Sequence, residues 1–428
     1  MTDIVVAGGG VSGIAAAIMS SSLGSKVTLL EESETIGLPK SRFHLLLRNE
    51  VREMDIKPTN PEELKARFGI ATRLREQVVS ADTKKRVVET SKQKLRYDAL
   101  VIATGASTAP EMIRGMSKRS VYIMKGLSDY SALSRDLDGF SSAAILGSTP
   151  LAITLAEILA KKKIRVIVFS TSLLSSYLSA SIRGMVAERL KMNGVTIVEG
   201  ALDSIAGMEK VEAVVSGGSV YPCEAVIVFP RTVPNVPRMD LKLGPAGGVL
   251  VDRMMKTSEA GVFAAGDCAE FQVGISSFPL RLHSAAKVMG EVAGANASGR
   301  SEVARLSGAL GFVTFGLEFC AAGQTMEGAK KAGFDAREFS YSEEKQDKNS
   351  DRETVSCSLT FDKNSRVIYG VQLAGWRALS YADLASLAVS MNVRLDDLAH
   401  LESSYVPTVS PDESPIATTA KKALSSAR

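Results

Sequence analysis

Gly8, Gly10 and Gly13 form a G-x-G-x-x-G cluster near the start of the chain, and a carboxylate, Glu31, stands 23 positions after the first glycine. These types at this spacing suit phosphate chemistry. The first glycine permits a tight turn, the second lets a pyrophosphate approach the backbone, and the third lets a helix pack closely on the preceding strand. A helix that opens there points unpaired N–H groups and its positive dipole end at the phosphates. An acid at about this distance reaches the ribose hydroxyls, so the pattern points to an adenine dinucleotide. A weaker copy follows: Gly147-Ser148-Thr149-Pro150-Leu151-Ala152 reads as G-x-T-x-x-A, and the next strand ends in Phe169-Ser170 rather than in an acid. Thr149 puts a side chain where backbone should meet phosphate. Ser170, with Thr171 and Ser172, could bond a ribose or a phosphate, but no arginine is adjacent in sequence to answer a 2′-phosphate. Other chemistries are poorly served. Cys223, Cys268, Cys320 and Cys357 are too far apart for a C-x-x-C pair, and His44, His283 and His400 are dispersed, so no metal site is expected.

Strands and helices must hold these residues. Residues 4–7 and 26–30 are short apolar strands of the buried parallel kind, flanking the helix that the glycines open. Residues 33–41 read as loop and the stretch to about Met54 as helix. Residues 78–88, which include Val79, pattern as a hairpin around Asp82-Thr83-Lys84-Lys85. YDALVIA at 97–103 is another buried strand, ending in Thr104-Gly105. A second strand–turn–helix–strand unit covers 143–146, 151–161 and 165–169. Further strands fall at 195–198, 211–215 and 225–229. GVFAAGD at 261–267 is a strand ending in Gly266-Asp267, and 281–295 is a helix. From Leu310 the pattern becomes antiparallel, with strands at 311–316, 355–361 and 367–373. Helices follow at 381–391 and 395–401. Residues 341–353 read as a polar mobile loop and the tail after Pro411 as polar and weakly helical. The fold class is α/β, with two Rossmann-like units, the second inserted in the first, and an α+β carboxy-terminal domain.

Bulk properties agree. The 428 residues are too many for one ordinary core, and 45% hydrophobic with 23% charged residues is a globular balance. The net charge of +4 is spread along the chain, which does not indicate a nucleic-acid partner. No apolar run approaches the roughly 18 residues of a membrane span. A strand beginning at residue 4 leaves no room for a signal peptide, so a cytoplasmic protein is expected.

Four stretches, VVAGGGVSG with Glu31, YDALVIATGA, VFAAGDCAE and YVPTVSPDESPI, resemble the pyridine nucleotide-disulfide oxidoreductase superfamily. The branch most similar is that of coenzyme A disulfide reductase, NADH oxidase and NADH peroxidase. The resemblance implies an FAD domain at 1–112 and 245–305, an NAD(P)H-binding-like domain at 113–244 and a dimerisation domain at 308–428, hence a homodimer. It implies FAD held by Gly8, Gly10, Gly13, Glu31, Val79, Thr104, Gly105, Gly266 and Asp267, with NADH or NADPH at Gly147 and Ser170. Asp267 would face the ribityl chain or the pyrophosphate, and the 281–295 helix would aim its N-terminus at the pyrimidine edge of the flavin. His283 would touch the flavin, cap the helix or face solvent. Lys125 falls near a basic residue that relatives place beside the flavin, and Tyr405 matches a tail tyrosine sent across the dimer. One feature breaks the pattern: the branch's redox cysteine motif, Cys-Gly-x-Pro-Tyr, is matched by Ile36-Gly37-Leu38-Pro39-Lys40. Isoleucine is no nucleophile, and Lys40 replaces the tyrosine. The expected activity is therefore transfer of electrons from NAD(P)H through FAD to oxygen, a quinone or a protein carrier. The alternatives are a non-catalytic FAD-binding scaffold or complex subunit with a decayed NAD(P)H site, or a disulfide reductase using a substrate thiol or a carboxy-terminal cysteine.

Overall fold

The computed structural model describes residues 1–109, 112–273, 276–345, 353–404 and 413–426. The chain divides into two compact units: residues 1–45, 49–110 and 231–305 form the first, and residues 46–48, 111–230 and 306–428 the second.

The first unit is built on a five-stranded parallel sheet, in the order Val262–Ala264, Ala99–Ile102, Asp3–Ala7, Lys26–Leu30, Ala71–Arg73. Its strands are almost wholly apolar because helices cover the sheet, as parallel sheets require. The Val11–Ser22 and His283–Ala297 helices pack on the sheet and on each other. Their crossing is backbone to backbone. A Cβ on Gly290 would lie 2.1 Å from the Ser12 carbonyl oxygen, and one on Gly294 would lie 2.4 Å from that of Ala16. The antiparallel meander Val78–Asp82, Val87–Thr90, Lys94–Arg96 stands beside this sheet in sequence.

The second unit holds another parallel sheet, in the order Thr196–Glu199, Arg165–Ser170, Ser142–Leu146, Ala225–Val228, Val121–Ile123. It also holds a five-stranded antiparallel sheet, in the order Leu310–Thr314, Leu317–Gly323, Ile368–Gly375, Glu353–Asp362, Ala336–Lys345. Leu359, Val371, Leu373, Ala385, Leu395, Ile416 and Ala420 are among the buried residues of its core.

Four expectations need correction. The helix to Met54 is instead three short pieces, Lys40–Arg42, His44–Leu47 and Glu53–Asp55, the last cut off from the second by Asn49 at a left-handed φ of 59°. The helix expected from residue 281 begins at His283, since Arg281 has φ 53° and cannot be helical. Residues 341–345 are strand, not loop; this strand lies at the sheet edge, where polar residues are the norm. The tail is no weak helix: Pro415–Ser426 buries Ile416 together with the small residues Ala417, Thr419, Ala420 and Ala423, and it lies on the antiparallel sheet.

Candidate functional site

The first glycine turn is shaped by close backbone approaches. Gly8 has φ 111°, and a Cβ there would lie 2.2 Å from the Ala103 carbonyl oxygen; a Cβ on Gly13 would lie 1.8 Å from that of Gly8. Nothing but hydrogen fits at either place. Gly10 differs, since a Cβ on it would meet nothing within 4 Å. It is the N-cap of the Val11–Ser22 helix and has no side chain to occupy the first N–H groups. A backbone-lined cradle thus opens at a helix N-terminus, which fits a pyrophosphate.

Glu31 stands at the end of the Lys26–Leu30 strand. Its Oε2 accepts the Gly9 N–H at 2.6 Å and its Oε1 the Ser33 N–H at 2.9 Å. Two backbone bonds hold the carboxylate against the turn, and its remaining lone pairs suit ribose hydroxyls. Ile36 is buried against the same turn, and a Cβ on Gly9 would lie 2.3 Å from its Cγ2.

The other elements of the first unit converge on the carboxyl ends of the strands. The Thr104 hydroxyl donates to the Asn235 carbonyl, and the Asn235 N–H returns to the Gly105 carbonyl at 2.9 Å. Gly266 has φ 79° and opens the turn Gly266–Cys268, where the Ser12 hydroxyl donates to the Ala265 carbonyl at 3.2 Å. Asp267 follows. Burial pushes its carboxyl pKa up, while the cations of Arg281 and Lys40 pull the other way. Lys40, Arg281 and His283 are exposed, and His283 is the first residue of its helix. Val79 is half-buried at an irregularity of the meander, and its carbonyl accepts the Arg238 N–H at 3.1 Å.

Gly147, Ser170 and Lys125 belong to the second unit. Gly147 has φ 150°. Thr149 is the N-cap of the Pro150–Lys161 helix, and its hydroxyl accepts the Ala152 N–H at 3.3 Å; Pro150, in the first turn, has no N–H. Ser170 is buried, and its hydroxyl accepts the Ser172 N–H at 3.2 Å. Lys125 is exposed, and the Asp129 carboxylate accepts its backbone N–H at 3.0 Å. Tyr405 lies outside the described residues.

All four cysteines are buried and free. Desolvation raises each thiol, to about 11 for Cys223 and about 12 for Cys320 and Cys357, with Cys268 also raised. None is a thiolate at neutral pH.

Ser12, Asn235, Gly290 and Gly294 were missed from sequence. A signal existed only for Gly290 and Gly294, whose four-residue spacing on a helix marks a close crossing. An arginine near Ser170 was also missed: Arg183, in the first turn of the Ala180–Met192 helix, donates from Nη1 to the Ser172 hydroxyl at 2.7 Å. Among the described residues no helix is long and apolar enough to cross a membrane.

Comparison with known proteins gives a consistent result. The family described as pyridine nucleotide-disulphide oxidoreductase matches residues 2–296, and its dimerisation domain matches residues 310–414. An NADH oxidase of Streptococcus pneumoniae is 27% identical over 82% of this chain and 83% of its own length. An NAD(P)H sulfur oxidoreductase (CoA-dependent) of Pyrococcus furiosus is 26% identical over 96% of this chain and 97% of its own. The solved structure of an NAD-dependent persulfide reductase from A. fulgidus superposes with a TM-score of 0.90 at 23% identity, covering 99% of this chain and 83% of that one.

Proposed function

The chain belongs to the pyridine nucleotide-disulphide oxidoreductase family, and from that premise we propose that it passes electrons from NAD(P)H through FAD to a non-disulfide acceptor, molecular oxygen first among them. The cysteines carry the choice of acceptor class. None precedes Cys223, and all four are buried, protonated thiols, so no nucleophilic sulfur of this chain is offered for disulfide exchange. The name NADH oxidase borne by relatives supports oxygen.

FAD, when bound, supplies the redox chemistry, taking hydride from the nicotinamide and releasing electrons to the acceptor. The chain's residues bind and orient. In this reading Gly8, Gly10 and Gly13 receive the pyrophosphate and Glu31 the adenosine ribose. Asp267, whose raised pKa comes from burial, accepts hydroxyl hydrogens from the ribityl side. Lys40, Arg281 and the N-terminus of the His283–Ala297 helix would supply positive potential beside a bound flavin. Ile36 seals the side of the turn with an apolar group. Gly147 and Ser170 serve the nicotinamide dinucleotide. The carboxy-terminal domain supplies the homodimer contact, and the setting is cytoplasmic.

The test is anaerobic mixing of the purified holoprotein with NADH and, separately, NADPH, followed by admission of air. Loss of the yellow absorption, then its return with oxygen uptake, is the expected result. Reduction without reoxidation in air would move the acceptor to a quinone or a protein carrier. Flavin that neither coenzyme reduces would favour a structural FAD in a non-catalytic scaffold, a reading to which Thr149 and Pro150 at the second turn lend weight. A variant lacking all four cysteines should keep its full oxidase rate; disulfide reduction that disappears with the cysteines would instead restore the thiol route.

A further inference from the structure

The two parallel sheets end differently where a Rossmann unit meets the adenosine ribose. In the first, Glu31 follows Leu30. In the second, Ser170 ends the Arg165–Ser170 strand and the chain continues Thr171-Ser172. An acid at this position bonds the 2′-hydroxyl of NADH and repels a 2′-phosphate, whereas an arginine nearby accommodates the phosphate of NADPH. The arginine is supplied from the following helix. Arg183 Nη1 donates to Ser172 Oγ at 2.7 Å, and Ser172 N–H to Ser170 Oγ at 3.2 Å. The Arg183 side chain is only 18% exposed and is therefore held in place. Because Ser172 Oγ accepts from Arg183, its own hydroxyl hydrogen remains to donate, as does that of exposed Thr171. Hydroxyls and a fixed guanidinium together make a site for a dianionic phosphate.

We propose that Arg183, with Ser170, Thr171 and Ser172, selects NADPH over NADH by binding the adenosine 2′-phosphate. This rests on the reading that the second glycine turn takes the nicotinamide dinucleotide. Three carboxylates oppose the selection, Glu338 among them through its charge interaction with Arg183. Glu327 lies 3.4 Å from Arg183 Nη2 and is 56% exposed, and Glu199 is in register with Ser170 on the next strand. Glu327 shares the guanidinium charge through Nη2 while Nη1 serves Ser172, so its neutralisation strengthens the site.

Calorimetric titration of the FAD-loaded protein with adenosine 2′,5′-bisphosphate and with 5′-AMP tests this without turnover. The bisphosphate should bind at least about tenfold tighter, the scale of a charge-assisted contact. Arg183→Ala should erase that ratio while changing 5′-AMP binding less than about threefold, the mark of a charge contact rather than a fold defect. Arg183→Lys should keep part of the ratio, and Glu327→Gln should raise it. Equal binding of the two probes by the unaltered protein, or equal loss of both in Arg183→Ala, overturns the inference. If neither probe binds yet NADH and NADPH both bleach the flavin, the selection fails while the oxidoreductase reading stands. If neither probe binds and neither coenzyme bleaches the flavin, both fall.

Discussion

The two glycine turns share a plan and differ in what they leave for a ligand. Each follows a buried parallel strand, begins with a glycine at positive φ and opens a twelve-residue helix. At the first, the N-cap is Gly10, and the acid at the strand end is bonded to the turn itself. At the second, the N-cap is Thr149, whose hydroxyl takes the Ala152 N–H, and Pro150 removes one donor more. An N-cap side chain satisfies the very N–H groups that a phosphate would use. The second turn is thus the better-capped helix and the poorer anion site. Binding strength at such a turn comes from donors left unsatisfied by the protein, so good local capping and good phosphate binding compete.

The largest effect on this contrast should come from Gly13→Ala. Its Cβ would lie 1.8 Å from the Gly8 carbonyl oxygen, so turn and helix must part. Overpacking of this kind costs about 1–3 kcal/mol, and the purified protein should lose most of its FAD, read as the ratio of flavin to protein absorbance, with a lower Tm. FAD retained at full occupancy would show that the turn is not the pyrophosphate site. A smaller effect is expected at the second turn. Thr149→Gly removes the capping hydroxyl and returns the Ala152 N–H, which should lower the KM for the nicotinamide coenzyme by about 1 kcal/mol equivalent. Stability should change by only a few tenths of a kcal/mol, roughly the cost of glycine at an N-cap. An unchanged KM would place the phosphates elsewhere.

The third test concerns Asp267 and is measured as stability against pH on protein stripped of flavin. Its folded pKa is raised by burial above the ordinary value of 3.8. The unfolded chain therefore releases this proton first, and stability falls as pH rises from that ordinary value through the folded one. Asp267→Asn should flatten the slope in that window. A slope unchanged by the substitution would assign it to other carboxylates. The smallest effect is chemical. Native protein at pH 8 should resist thiol alkylation at Cys223, Cys320 and Cys357, which burial holds at about 11, 12 and 12, and become fully labelled only in denaturant. Rapid labelling of any of them in the native state would reopen thiol chemistry.

What the sequence determined by itself is local. Gly8, Gly10, Gly13 and Glu31 could be read because a tight turn, a helix start and a strand end are set by residues within one short unit, and the parallel strands could be read because burial on both faces demands continuous apolar runs. That Ile36 stands where the resemblance expects a cysteine was likewise an expectation drawn from the letters. The short helices after Lys40 were not, because one left-handed residue, Asn49, ends a pattern that periodicity alone continues. Long-range partners were left to the tertiary structure. Ser12 meets Ala265, Thr104 meets Asn235 and Ser172 meets Arg183 across 253, 131 and 11 positions. No period encodes such pairs; they exist because packed helices and sheet ends bring separate segments within hydrogen-bond distance. The shape of the first turn was therefore written locally, while the placing of Arg183 beside Ser172 was decided by how the following helix folds back onto its strand.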